Sequence, residues 1–289
     1  MKRKSFSLAV CCFVSVLTSC GGSTVDNSKL VIGMECSYQP FNWTVNEESE
    51  HTLPIDGTKQ FSDGYDIAVA KYLSKELNKE VIIKKITWEN LIPSILNDNI
   101  NMILAGMSVT AKRKETIDFS APYLSSDLAF LIKSENLPEG NSKDNPISYD
   151  NLLELFRGKN LICQSGVVGD DIIETYFSSK NDFNIKHNQP LQTYPLAAQD
   201  VKNGGAFAMP AELPVVSAMT NLDPGKLSVL YCDYKSFLSE DDLIGLEVNI
   251  GLKKGNIELK NEIDSALNKL SPEGRNKMMG EASIRSQNV

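Results

Sequence analysis

The chain has 289 residues, 42% of them apolar and 23% charged, a balance that excludes a disordered chain and leaves room for two modest domains. Its formal charge of −8 excludes a surface built to neutralise nucleic-acid phosphates, which requires clustered Lys and Arg. Beyond the first twenty residues no segment reaches about eighteen consecutive apolar residues, so none is expected to span a membrane.

Lys2, Arg3 and Lys4 precede an apolar stretch, residues 6–17, that is too short for a spanning helix and reads as a signal peptide over residues 1–19. Its end, Leu17-Thr18-Ser19-Cys20, resembles the bacterial lipobox, which implies cleavage before Cys20 and lipid on that thiol. Residues 20–28, with Gly21-Gly22-Ser23 after the cysteine, read as a flexible tether. Cys11 and Cys12 leave with the leader, so Cys36, Cys163 and Cys232 remain as an odd set that allows at most one disulfide and requires none.

Residues 30–33 then read as a strand. Tyr65, Val69, Leu73 and Leu77 recur at four-residue steps and predict an amphipathic helix. A β-like run follows at 81–86, then a helix carrying Leu91, Ile92, Ile95 and Leu96, a short strand at 102–105 and a helix start near Thr110. After a Pro-, Gly-, Asn- and Ser-rich segment at 138–151 the pattern repeats, with a strand at 161–163, a helix at 170–177 and an apolar run at 206–209. Residues 248–252 read as a late strand, and 257–279 as helices broken at Ser271-Pro272. The order predicts an α/β protein of two lobes, each a mostly parallel sheet flanked by helices. The expected boundaries are 29–128 for lobe 1, 129–247 for lobe 2 and 248–289 for a return segment. Crossovers are expected near 127–130 and 246–249, with a ligand cleft between the lobes.

Three runs carry more specific information: VIGMECSYQPFNW at 31–43, FSDGYDIAVAKYL at 61–73, and WENLIPSILNDNINMILAGMSVTAKRKETIDFSAPYL at 88–124. Together with ALNKLSPEGRNKMM near the end they resemble the polar-amino-acid solute-binding proteins of ABC importers, over nearly the whole chain after the leader. The resemblance implies a periplasmic-binding-protein-like fold. It also implies a free amino acid as ligand, an importer permease as partner, a monomer, and a place outside the cytoplasm on the lipid of Cys20. A free amino acid presents a carboxylate and an ammonium on one carbon, so its site needs a cation fork and oxygen acceptors. The resemblance places Arg113 as the carboxylate grip, a role that suits a planar guanidinium. It implies a backbone contact at Gly106, a hydroxyl at Ser108 for the ammonium, and aromatic walls at Tyr38 and Trp88. Glu35 falls where the ligand side chain is met, Glu212 where the ammonium is. In CQSGVVGDD, Val167 and Val168 replace the usual hydroxyls of a glycine-threonine loop, leaving its backbone N–H groups as expected donors. Phe207 replaces an aspartate often found there, and Asp66 matches a helix-start carboxylate with a structural role.

Three functions compete at this stage: a binding protein for import, an enzyme of the cyclohexadienyl or arogenate dehydratase type on the same scaffold, and a ligand sensor. Only Glu35 and Glu212 could serve an enzyme as acid or base. The chain lacks a nucleophile elbow, a metal cluster and a nucleotide loop, so no catalytic residue, metal or cofactor is expected. A second buried acid at Glu35 favours a basic amino acid, with glutamine next.

Overall fold

The computed structural model describes residues 28–287, so the predicted signal peptide, Cys20 and nearly all of the tether lie outside the described residues. The first five-stranded sheet runs Glu80–Lys85, Lys29–Met34, Met102–Ile103, Glu247–Lys253, Ile117–Ser125 from edge to edge. The second runs Lys186–His187, Asn160–Leu161, Ala208–Glu212, Leu128–Lys133, Leu227–Tyr231. In each sheet four strands point one way, as the β-α order predicts, and a single strand opposes them. The opposing strands are Leu128–Lys133 and Glu247–Lys253, which the chain lays down after passing from one sheet to the other. Both sheets are therefore mixed: in each, the strand entered by a crossing from the other sheet runs against its neighbours.

Lys29–Met34 is buried almost along its whole length, which is why it reads as a continuous apolar run instead of an alternating one. The helix Tyr65–Leu77 buries Ile67, Val69, Ala70 and Leu73, and packs against the returning helix Ile257–Lys269, whose Ala266 carbonyl accepts from the Tyr72 hydroxyl at 2.9 Å. Gly64 opens that helix at φ 134°, and a Cβ there would lie 2.1 Å from the Phe41 carbonyl oxygen, so no larger residue fits. The break at Ser271-Pro272 is real: Ser271 caps the helix Pro272–Ser286 through the Gly274 N–H, and Arg275 closes the preceding helix by donating to the Leu267 and Leu270 carbonyls. The core of the second lobe centres on Phe130, Phe156 and Phe177, packed edge to face with centroids 5.2 to 5.6 Å apart. Cys36, Cys163 and Cys232 are all buried free thiols.

The structure differs from the predicted elements in both lobes: residues 37–63, where no element was expected, form a small antiparallel sheet ordered Ser37–Tyr38, Asn42–Val45, Phe61–Asp63, Leu53–Pro54, and two elements of lobe 2 are shifted. The helix expected over 170–177 starts at Val168, runs only to Ile172, and continues as a π-helical turn Ile173–Ser178. The apolar run at 206–209 leads into the strand Ala208–Glu212, which carries Glu212 to its C-terminal end.

Candidate ligand-binding cleft

Strands that share a direction share an end, and both sheets turn their C-terminal ends toward one cleft. Glu35 follows Lys29–Met34, Trp88 opens the helix after Glu80–Lys85, and Gly106 and Ser108 follow Met102–Ile103. From the other sheet, Gln164 and Val167 follow Asn160–Leu161, and Glu212 ends Ala208–Glu212. This is the crevice in which open α/β sheets hold ligands. It is lined by all eight residues singled out from the sequence, namely Glu35, Tyr38, Trp88, Gly106, Ser108, Arg113, Val167 and Glu212.

Arg113 stands in a one-turn helix, Ala111–Lys114, whose first turn is fixed by Thr110: its hydroxyl accepts from the Arg113 N–H at 3.1 Å. One guanidinium nitrogen donates to the Ser108 carbonyl at 2.6 Å, and the other reaches across the cleft to the Gly166 carbonyl at 2.9 Å. The guanidinium also lies 5.1 Å from the Trp88 ring centroid, and Trp88 Nε1 donates to the same Gly166 oxygen at 3.2 Å. Desolvation lowers the Arg113 pKa to about 10, against the pull of Asp171 and Glu212, so it remains a cation at neutral pH.

Glu212 is only 8% exposed, and its carboxylate accepts from the Tyr38 hydroxyl of the opposite lobe at 2.5 Å. The Tyr38 ring is sandwiched between Phe41 and Tyr194, with centroids at 5.0 and 4.9 Å. Burial raises the Glu212 pKa, and the Tyr38 bond holds it down. Glu35 is equally buried, and Gln164 Nε2 donates to both of its oxygens at 3.3 and 3.2 Å while Gln164 Oε1 accepts from the Tyr194 N–H. Burial again raises the carboxylate pKa, opposed by bonds from Gln164 and Ser37. Gly106 has φ +61°, and a Cβ there would meet the Tyr38 ring at 2.6 Å, so glycine lets the backbone come flush with the aromatic wall.

Gln164 and Tyr194 are the two wall residues that sequence reasoning passes over. Gln164 carries no charge to draw notice, and Tyr194 shows only as the start of a helix capped by Thr193 and followed by Pro195, a signal of geometry and not of chemistry. The loop at 165–168 also differs from expectation. The Gly166 N–H donates to the Asp170 carboxylate at 3.2 Å, so it is the Gly166 carbonyl that faces Arg113 and Trp88.

Two α/β lobes that bring a guanidinium, two carboxylates and two aromatic walls around one small cleft define a bilobal solute-binding protein. The chain belongs to the bacterial extracellular solute-binding proteins, family 3, which it matches over residues 30–281. It is 26% identical to the arginine-binding extracellular protein ArtP of Bacillus subtilis (strain 168) over 47% of this chain and 50% of that one, so the match spans half of that relative's length. It is 24% identical to the octopine-binding periplasmic protein of Rhizobium meliloti over 84% of this chain and 79% of that one. The amino acid ABC transporter substrate-binding protein AbpA from Streptococcus pneumoniae Canada MDR_19A, solved bound to L-arginine, shares the fold with a TM-score of 0.71 at 22% identity, over 90% of this chain and 96% of that one. Among the described residues no helix is long and apolar enough to cross a membrane.

Proposed function

We propose that this protein captures a free polar amino acid, a basic one first and glutamine next, and delivers it to an ABC importer from a lipid anchor at Cys20. The observation that carries the ligand class is the charge set of the cleft: one cation, Arg113, and two buried carboxylates, Glu35 and Glu212. A basic amino acid is the complement of that set, with one carboxylate and two cationic groups. Arg113 takes the carboxylate, Glu212 with Ser108 the ammonium, and Glu35 with Gln164 the side-chain end. Trp88 and Tyr38 cover the aliphatic stem. The names of ArtP and of the arginine complex of AbpA support the same class. The reading is of a binding protein and not an enzyme: each carboxylate is held by a neutral donor from the opposite lobe, an arrangement for closing on a ligand.

Competition calorimetry among arginine, lysine, histidine, glutamine and glutamate tests this on the wild type and on Glu35→Gln. A basic amino acid is expected to rank first, and Glu35→Gln to weaken arginine by roughly ten- to hundredfold while changing glutamine little, the scale of one lost charged hydrogen bond. Glutamine outcompeting every basic amino acid, or arginine affinity unchanged in Glu35→Gln, overturns the assignment. Because burial raises both carboxylate pKa values and a bound cation favours their ionised forms, arginine affinity falls as pH drops through those raised values.

A further inference from the structure

Beneath the cleft and outside its lining, Asp66 is fully buried in the first turn of the helix Tyr65–Leu77. One of its oxygens accepts from the Tyr123 hydroxyl at 2.7 Å and the other from Asn42 Nδ2 at 2.7 Å; both partners are themselves fully buried. Each partner passes the bond on to a binding loop. The Tyr123 oxygen accepts from the Gly106 N–H at 3.1 Å, and Asn42 Oδ1 accepts from the Cys36 N–H at 2.7 Å. Cys36 directly follows Glu35 and sits at φ 55°, a left-handed conformation that a non-glycine residue keeps only when its surroundings hold it there. The hold is on both sides, since the Thr44 hydroxyl donates to the Cys36 carbonyl at 2.9 Å.

Polarity is what makes this network directional. An ionised carboxylate only accepts, so it obliges Asn42 and Tyr123 to turn their donors inward and their acceptors outward, toward Cys36 and Gly106. We infer that Asp66 is a positioning residue for ligand binding: through Asn42 and Tyr123 it sets the loop that carries Glu35 and Tyr38 against the loop that carries Gly106 and Ser108. The inference rests on the reading of the cleft as an amino-acid site.

Asp66→Asn keeps the shape and breaks the polarity. One of the two inward donors then faces an amide N–H, and any flip of Asn42 that relieves this turns its own N–H against that of Cys36. The exchange of Asn42→Asp together with Asp66→Asn restores every pairing. The carboxylate, moved to position 42, would accept from the Cys36 N–H and from the amide at position 66, and that amide's oxygen would accept from Tyr123. Calorimetry with L-arginine is expected to show Asp66→Asn binding at least tenfold more weakly, the exchange variant returning to within threefold of wild type, and Tyr123→Phe also at least tenfold weaker through Gly106. A purely structural Asp66 would lower the melting temperature of Asp66→Asn and leave the affinity of the folded fraction alone. Folded Asp66→Asn within threefold of wild type overturns the inference, as does a folded exchange variant as weak as the single one. If Asp66→Asn does not fold, Tyr123→Phe carries the test, and binding within threefold of wild type overturns it. A wild type that binds none of the amino acids sinks the cleft reading itself, and this inference with it.

Discussion

Arg113 shows how much one side chain can be asked to do. It is desolvated, so its charge is costly to keep, yet one nitrogen is held by the Ser108 carbonyl and its plane lies over Trp88. A carboxylate in the cleft would face a cation already oriented, with less side-chain entropy left to lose than a free arginine has. Arg113→Ala is therefore expected to weaken amino-acid binding by about two to four decades, the cost of leaving a desolvated carboxylate without its partner. Arg113→Lys should recover only part of the loss, because an ammonium can keep one of the contacts to Ser108, Gly166 and the ligand but lacks the planar fork. Isothermal titration of both variants is the check, and Arg113→Ala binding within threefold of wild type removes the role. Arginine at this site was legible in the sequence because a charged residue inside a familiar run draws notice. Gln164, which meets Glu35 from the other lobe, was not, since a glutamine in a loop has no spacing that announces a partner 129 residues away.

At the scale of elements, the short helix Val168–Ile172 and the strand Lys186–His187 are joined by charge. His187 Nε2 lies 2.9 Å from Asp170 and Nδ1 lies 3.3 Å from Glu174, an arrangement in which both ring nitrogens face carboxylates. A carboxylate beside each ring nitrogen favours the doubly protonated imidazolium: Asp170 is the largest cause of a raised His187 pKa, with Glu174 adding to it and burial opposing. A raised folded-state value means that the pair stabilises the fold fully below the unfolded histidine pKa of about 6.5 and loses that contribution as pH rises through the folded value. His187→Gln is expected to lower the urea midpoint relative to wild type at pH 5.5 and to converge with it by pH 9. A gap that stays constant or widens toward pH 9 contradicts the account. Asp170 also accepts from the Gly166 N–H, so the same helix that pairs with His187 fixes which face of Gly166 meets the cleft. The expected helix over 170–177 missed this, because helical periodicity does not separate an α-helical turn from the π-helical turn that follows.

For the whole molecule, the decisive feature is that the chain crosses between its sheets, after Ser125 and again before Glu247, with the Ser126 N–H donating to the Leu246 carbonyl at 3.3 Å. Two adjacent connections resist twisting more than bending, which is the geometry of a hinge. Contacts across the cleft come from both sides of that hinge: Tyr38 to Glu212 and Tyr194, Trp88 and Arg113 to Gly166, Glu35 to Gln164. A ligand that satisfies groups from both lobes at once stabilises the closed arrangement by its difference in affinity for the two states. The membrane attachment proposed at Cys20 is tested at this scale too. Cys20→Ala is expected to abolish labelling by radioactive fatty acid and to release the protein from the membrane fraction, and equal labelling of wild type and variant would refute the anchor.

Some of this was determined by the sequence alone. Apolar spacing places the helix Tyr65–Leu77, the break at Ser271-Pro272 and the late strand Glu247–Lys253, since these depend on local periodicity and on what proline and a capping serine permit. The family resemblance of the runs at 31–43 and 88–124 likewise pointed to a polar amino acid as ligand. Only the tertiary structure decided which groups meet across the cleft. Gln164 on Glu35, Tyr194 on Tyr38, and the Gly166 carbonyl in place of its N–H all depend on how two separately folded sheets face each other. The buried bonds by which Asp66 reaches Cys36 and Gly106 belong to the same kind. They join residues 36, 42, 66, 106 and 123, and hydrogen bonds between segments so far apart leave no period in the chain that carries them.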